Sequence, residues 1–352
     1  MLSTVGFVIM PKAVSPVCAG GDRKAQRVGM AGLAVLGCLM FSEWSIRGVV
    51  ADPSNESTDL VAWGQDHLGQ PMPEFMSGDE CLFCHRDLGA RWGQNPHQLT
   101  LRAVDNSAAM KMLRGVAPSR AAETRYLLGR QHRVRYLKRG QKFGTLDLLS
   151  INWEPTDQKV GGISGRLPAT WISDRFAASC AGCHTSGVNA ETGAFHTLSL
   201  DCFVCHGDVE LSHSKRDTSV IFGSHAVPEA RIVIATCGQC HLRGGQSKST
   251  QRPYPSHYVA GDNLFRDFLV ELSEQAIANN QTVDRHVYAN TREVMLTQNK
   301  AVTCVTCHDL HQASTEKHRT LPMMAICTTC HTQQDDLSVV RKLTKKSKVC
   351  GY

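Results

Sequence analysis

The chain carries the string C-x-x-C-H six times: CLFCH from Cys81, CAGCH from Cys180, CFVCH from Cys202, CGQCH from Cys237, CVTCH from Cys304 and CTTCH from Cys327. These strings use 12 of its 15 cysteines and leave Cys18, Cys38 and Cys350 outside. A shuffled chain of this composition would hold roughly 0.03 such strings, so chemistry imposes the spacing.

Two cysteines at i and i+3 lie close together on one turn of helix, and a histidine directly after the second projects toward the same side. That arrangement suits covalent attachment of haem c, with both thiols forming thioethers to the porphyrin and the imidazole binding iron from one face. Zinc needs two such pairs per metal and gives no reason for a histidine after every second cysteine. A thioredoxin-like pair would occur once, near a βαβ pattern. Disulfides explain neither the fixed spacing nor the six histidines. The expected haem-binding thiols are therefore Cys81, Cys84, Cys180, Cys183, Cys202, Cys205, Cys237, Cys240, Cys304, Cys307, Cys327 and Cys330, with His85, His184, His206, His241, His308 and His331 as proximal iron ligands. The second and third strings are close in sequence, as are the fifth and sixth, and each pair is expected to hold two haems in contact. Aromatic content is only 6%, and six porphyrins would supply much of the missing apolar core.

An electron-carrying haem has both axial positions filled, whereas one that does chemistry keeps a position open. Of 16 histidines, ten lie outside the strings, enough for a second ligand at every iron. His97, closing RWGQNPH, His213, after CHGDVELS, and His311, after CHDL, are the leading candidates, followed by His132, His225, His257 and His286. His67, His196 and His318 rank below these, and Met323 and Met324 suit packing better than ligation.

Near the N-terminus, Arg23, Lys24 and Arg27 precede the apolar run Val28 to Phe41, too short to span a bilayer comfortably but right for an export signal. Residues 1–51 are read as a leader. It is cleaved after Ala51, lipidated at Cys38 in VLGC, or retained as an anchor. Residues 52–76 form a polar linker, 77–335 the haem-bearing domain and 336–352 a basic tail. Between the first two strings, RYLLGRQHRVRYLKRGQKFGTLDLLSINW alternates apolar and basic residues between glycines, predicting a small β-hairpin. Its cations Arg130, Arg133, Arg135, Lys138 and Arg139 could meet an acidic partner, haem propionates or solvent. From Asp262, DNLFRDFLVELSEQAIANN places Leu264, Phe265, Phe268, Leu269, Leu272, Ala276 and Ile277 on one stripe, predicting an amphipathic helix that covers a haem.

The formal charge of +6 points to no nucleic-acid partner. Without the leader's five basic and two acidic residues it falls to +3, and six ferric haems with two propionates each would bring it to roughly −3.

These residues resemble the multihaem cytochromes c of the paired C-x-x-C-H class. The resemblance rests on GDECLFCHRDLGARWGQNPH, YLLGRQHRVRYL, SCAGCHTSG with LDCFVCHGDVELSH, CGQCH with YPSHYVAGDNL, and AVTCVTCHDLH with ICTTCH, over most of Gly78 to His331. It implies a mainly α fold with much irregular structure, wrapped around a chain of six haems, with His97, His213 and His311 as distal ligands. The expected function is electron transfer between redox proteins of the cell envelope, in the periplasm or another compartment outside the cytoplasm. Membrane association through the N-terminal segment and oligomerisation fit the same reading. Two alternatives stand beside it: a multihaem reductase or oxidase of a small nitrogen or sulfur compound at a five-coordinate haem, and a subunit of a conducting filament or larger respiratory complex.

Overall fold

A computed structural model describes residues 63–313 except 131, 163–167, 215–216, 218–219, 224–227, 280–284 and 298–301. The leader, the C-terminal tail, the sixth string with Cys327, Cys330 and His331, and the candidates His225 and His318 lie outside the described residues. The chain divides into Met1–Val50 and Ala51–Tyr352, and every described residue belongs to the second unit.

Helices α1 (Gly78–Cys84) and α2 (Arg86–Trp92) come first. Strand β1 (Leu101–Ala103), helices α3 (Ala108–Val116) and α4 (Pro118–Glu123), and strands β2 (Tyr126–Leu128), β3 (Val134–Arg139), β4 (Leu146–Glu154), β5 (Lys159–Gly162) and β6 (Trp171–Ile172) follow. The strands pair antiparallel in the order β1-β2-β3-β4-β5, with β6 also on β4. The predicted hairpin is thus the centre of a six-stranded sheet, and the architecture is mixed α and β rather than mainly α. Gly129, at φ +79°, makes the turn out of β2, where a side chain would run into the Arg133 carbonyl.

The period of two along a strand sends alternate residues to opposite faces. Leu127, Val134, Tyr136, Leu149 and Ile151 pack beneath α3 and α4 against Met110 and Leu113. Leu101, Leu128, Leu137, Leu146 and Leu148 pack on the other face against Phe176 and Ala181. Because both faces are covered, β4 is buried from Leu146 through Asn152. Three of the strip's five cations have partners within the chain. Arg133 meets Glu154 at 3.1 Å, Lys138 meets Glu123 at 3.4 Å and lies 5.2 Å from the Trp171 ring centroid, and Arg139 donates to Tyr126 Oη at 3.4 Å.

Helices α5 (Arg175–Ser179) and α6 (Ala181–His184) lie on the second face of the sheet. The hairpin β7 (Thr185–Ser186) and β8 (Thr197–Leu198) leads to α7 (Cys202–His206). Helix α8 (Ala230–His241) buries Ala230, Ile234 and Ala235 in a second core with Trp63, Leu242, Leu264, Phe265, Phe268, Leu272, Val287, Tyr288, Val294 and Met295. Strands β9 (Gln246–Ser247) and β10 (Phe268–Leu269), helices α9 (Glu274–Asn279) and α10 (Arg285–Thr297), and the short α11 (Cys304–Cys307) complete the fold.

The single amphipathic helix expected from Asp262 is instead a 3-10 turn at Leu264–Arg266, then β10, then α9. The buried Asp267 carboxylate breaks the helix by accepting from Ser247 Oγ at 2.5 Å and from Ser249 N and Oγ at 2.9 Å. The apolar stripe still reaches the core, since Leu264, Phe265, Phe268 and Leu272 are all buried.

The described part of the segment before α1 is docked on this core. Trp63 meets Phe265 edge-on at 5.5 Å, Arg231 Nη1 donates to the Trp63 carbonyl at 3.2 Å, and His67 Nδ1 lies 2.7 Å from Asp262 Oδ2. No described helix is long and apolar enough to cross a membrane.

Leu149 is fully buried between the sheet and α3, so Leu149→Ala should destabilise the fold by about 2–5 kcal/mol, read as a lower denaturation midpoint with an unchanged m-value. Gly182 of α6 stands against the Tyr254 ring, whose hydroxyl donates to the Ala177 carbonyl. Gly182→Ala must displace that ring and should cost about 1–3 kcal/mol, read by thermal unfolding.

Candidate functional site

Each described C-x-x-C-H string sits on or at the end of a helical turn, which brings its two thiols to one side. The first closes α1, and His85 follows as its C-terminal cap. The second forms α6, the third is α7, the fourth ends α8, and the fifth is α11 followed by His308. Local signals fix these turns. Asp201 caps α7 by accepting from Cys202 N at 2.6 Å and also accepts from Gly78 N at 3.0 Å, tying α7 to the start of α1. Thr303 and Thr306 form a reciprocal capping box on α11. Gly207, at φ +70°, turns the chain away after His206, where a Cβ would lie 2.8 Å from the Ala260 carbonyl oxygen.

Three motif histidines each face a second histidine from a distant part of the chain. His85 and His213 have ring centroids 6.0 Å apart with planes 8° from parallel, and His206 and His311 are 6.0 Å apart at 5°. His241 and His97 are 6.4 Å apart with planes at 85°. Two imidazoles bound to opposite sides of one metal, at about 2.0–2.1 Å from each nitrogen, place their centroids roughly 6 Å apart. The spacing therefore fits a bis-histidine metal.

The Nδ1 contacts agree. His206 Nδ1 donates to the Ile221 carbonyl at 2.9 Å and His213 Nδ1 to the Glu210 carbonyl at 2.5 Å, while His97 Nδ1 lies 3.2 Å from Asn95 Oδ1. A ring held at Nδ1 keeps Nε2 as the free electron-pair donor. Burial, with His241 and His308 adding to it, pushes His97 down to about 4, and burial likewise lowers His206. Near neutral pH these rings are uncharged, the form that binds a metal.

His184 stands apart. Its Nδ1 is buried without a hydrogen-bond partner, and burial, then Arg243 and Arg135, push the ring down to about 4. His184 makes no ring contact with a described histidine. Arg135 projects from the same sheet face that carries α6 and is held below the usual arginine range, chiefly by desolvation, with Cys180 opposing.

Of the other candidates, His132 is exposed just before β3, His257 is half-buried with its carbonyl accepting from His67 N at 3.0 Å, and His286 is exposed at the start of α10. His132 and His257 make no ring contact with a described motif histidine. The contact of His67 with Asp262 spans 195 residues of sequence, and no local pattern announces it.

The motifs also touch one another. The Cys202 thiol donates to Cys81, which lowers Cys81 to about 7 and raises Cys202. Cys240 donates to Cys183 and Cys237 to Cys304, with matching opposite shifts. Burial raises Cys205 to about 11. Gln239, inside the fourth motif, donates from Nε2 to the Val204 carbonyl in the third at 3.2 Å, while its own carbonyl accepts from Cys183 Sγ at 3.9 Å. The first motif thus meets the third, and the fourth meets the second, third and fifth. The expected fifth-to-sixth contact lies outside the described residues. Among the described residues no three His, Cys, Asp or Glu side chains gather around a common metal position. A tetrahedral zinc centre takes four ligands, whereas the facing rings offer two on opposite sides.

No protein-family model and no curated protein matches the chain. Two solved structures are similar. The crystal structure of the outer cell wall cytochrome OcwA matches with 16% identity and a TM-score of 0.49, over 74% of this chain and 67% of that one. An undecahaem cytochrome from the S-layer of Carboxydothermus ferrireducens matches with 16% identity and a TM-score of 0.40, over 75% of this chain and 44% of that one.

Proposed function

We propose that this protein is an exported c-type cytochrome with six haems that passes single electrons between redox partners of the cell envelope. The observation that carries the reading is the set of three motif histidines, each facing a second ring about 6 Å away. Haem c, when bound through the cysteine pairs, would supply the one-electron chemistry.

The chain's own residues do the rest. The cysteine pairs would hold the cofactor, and His85 with His213, His206 with His311, and His241 with His97 would supply two imidazoles to each of three irons and so exclude substrate there. Contacts at Nδ1 hold one ring of each pair, His206, His213 and His97, so the arrival of an electron would need little rearrangement there. Contacts between motifs, such as Gln239 to Val204, keep neighbouring centres within reach. His184, His308 and His331 are left without an assigned second ring, and the remaining candidates are His132, His225, His257 and His286.

One observation favours a second reading, an enzyme acting at the second motif. His184 faces no described histidine, and Arg135 and Arg243 surround it with positive charge, suited either to haem propionates or to a small anion such as nitrite. A stoichiometric high-spin ferric signal that shifts on adding nitrite or hydroxylamine would establish the enzyme reading. Its absence would leave the carrier.

The purified, exported protein should bind six haems per chain that survive acidified acetone. A colourless product, or pigment lost to the solvent, overturns the proposal. The ring planes make a finer prediction. Perpendicular axial imidazoles give low-spin ferric haem a highly anisotropic paramagnetic resonance spectrum, whereas near-parallel ones give a rhombic spectrum. Among the three paired centres, one should be of the first kind and two of the second. His213→Ala should convert one haem from low to high spin, removing one rhombic component and leaving the anisotropic one.

A further inference from the structure

Asn95 lies between α2 and β1 and is fully buried, with 0% exposure. An asparagine side chain offers two N–H donors and two acceptor lone pairs, and here all four are used. Nδ2 donates to the Leu310 carbonyl at 2.8 Å and to the Gln312 carbonyl at 2.6 Å. Oδ1 lies 2.9 Å from His97 N and 3.2 Å from His97 Nδ1. The amide orientation is forced, because the reverse would set its oxygen against two carbonyl oxygens. The Asn95 backbone is itself fixed, its N–H donating to the Trp92 carbonyl at 2.8 Å and its carbonyl accepting from Leu99 N at 3.1 Å.

The partners on the two sides belong to different centres. One side holds His97, whose ring faces His241. The other holds the carbonyls on either side of His311, whose ring faces His206. A single amide therefore joins two histidines more than 200 residues apart in sequence, and its loss would leave buried polar groups unsatisfied on both sides.

We propose that Asn95 is a positioning residue for two axial ligands at once, setting His97 opposite His241 and His311 opposite His206, so that ligation at the third and fourth motifs is coupled through one side chain. The inference rests on the haem reading of these ring pairs. Asn95 touches neither iron nor porphyrin in this role, and acts only through the two histidines.

The test uses the full exported chain with its haems attached, in wild-type, Asn95→Leu and Asn95→Asp forms. Leucine keeps the branching at Cγ, with bulkier methyl groups, and removes every side-chain hydrogen bond. Two haem-equivalents should turn high-spin, with loss of the highly anisotropic component and one rhombic component, at unchanged haem content. Aspartate still accepts from His97 but offers at most one donor to two carbonyls, so only a rhombic component should weaken. Millimolar imidazole, entering the vacated positions, should restore the low-spin spectra, a rescue that general unfolding would not show. Retention of all low-spin signals in Asn95→Leu, or equal loss at the His85–His213 centre, overturns the inference. Should Asn95→Leu fail to mature, Asn95→Asp decides: selective loss of one rhombic component supports the inference, and a wild-type spectrum overturns it. A wild-type protein without covalent haem would instead overturn the underlying reading.

Discussion

Two imidazole rings held about 6 Å apart, one from a C-x-x-C-H turn and one from elsewhere, impose more on this chain than any other contact. Each such pair closes a long loop. His97 follows the first motif but faces the fourth, His213 follows the third but faces the first, and His311 follows the fifth but faces the third. The segments are interlocked, so none of these three pairs is made within one stretch of sequence. If one metal joins each pair, folding and cofactor binding draw on the same free energy.

Around these ring pairs the polypeptide supplies two conventional cores. One lies beneath α3 and α4 against the six-stranded sheet, and the other surrounds α8. The sheet's opposite face carries α6 and with it the second motif, through Phe176 and Ala181. That motif is consequently built against the sheet and lies next to Arg135, which interacts electrostatically with Cys180.

The motifs were legible in sequence from their fixed spacing, and His97, His213 and His311 drew notice because each follows a motif closely. Their partners were not. Which ring faces which motif depends on contacts such as Asn95 to Leu310, 215 residues apart, and no local periodicity encodes that. The strands between the first two motifs were visible as alternation, but seven consecutive buried residues in β4 need cover on both faces, which a hairpin alone could not provide. Around Asp267 the hydrophobic stripe correctly named buried residues and wrongly implied one helix, because a buried carboxylate can outbid helical periodicity when serines are placed to receive it. Asp201, which fastens two motifs together, looked like an ordinary residue before a helix.

Helix α8 ends where four motifs converge, since Gln239, Cys240 and Cys237 reach the third, second and fifth from one turn. Under the proposed electron-transfer reading, such an arrangement would act less like a wire than like a crossroads. Charge entering at one arm would have two other exits, chosen by relative driving force rather than by position in a queue, and blocking one arm would reroute it instead of stopping it.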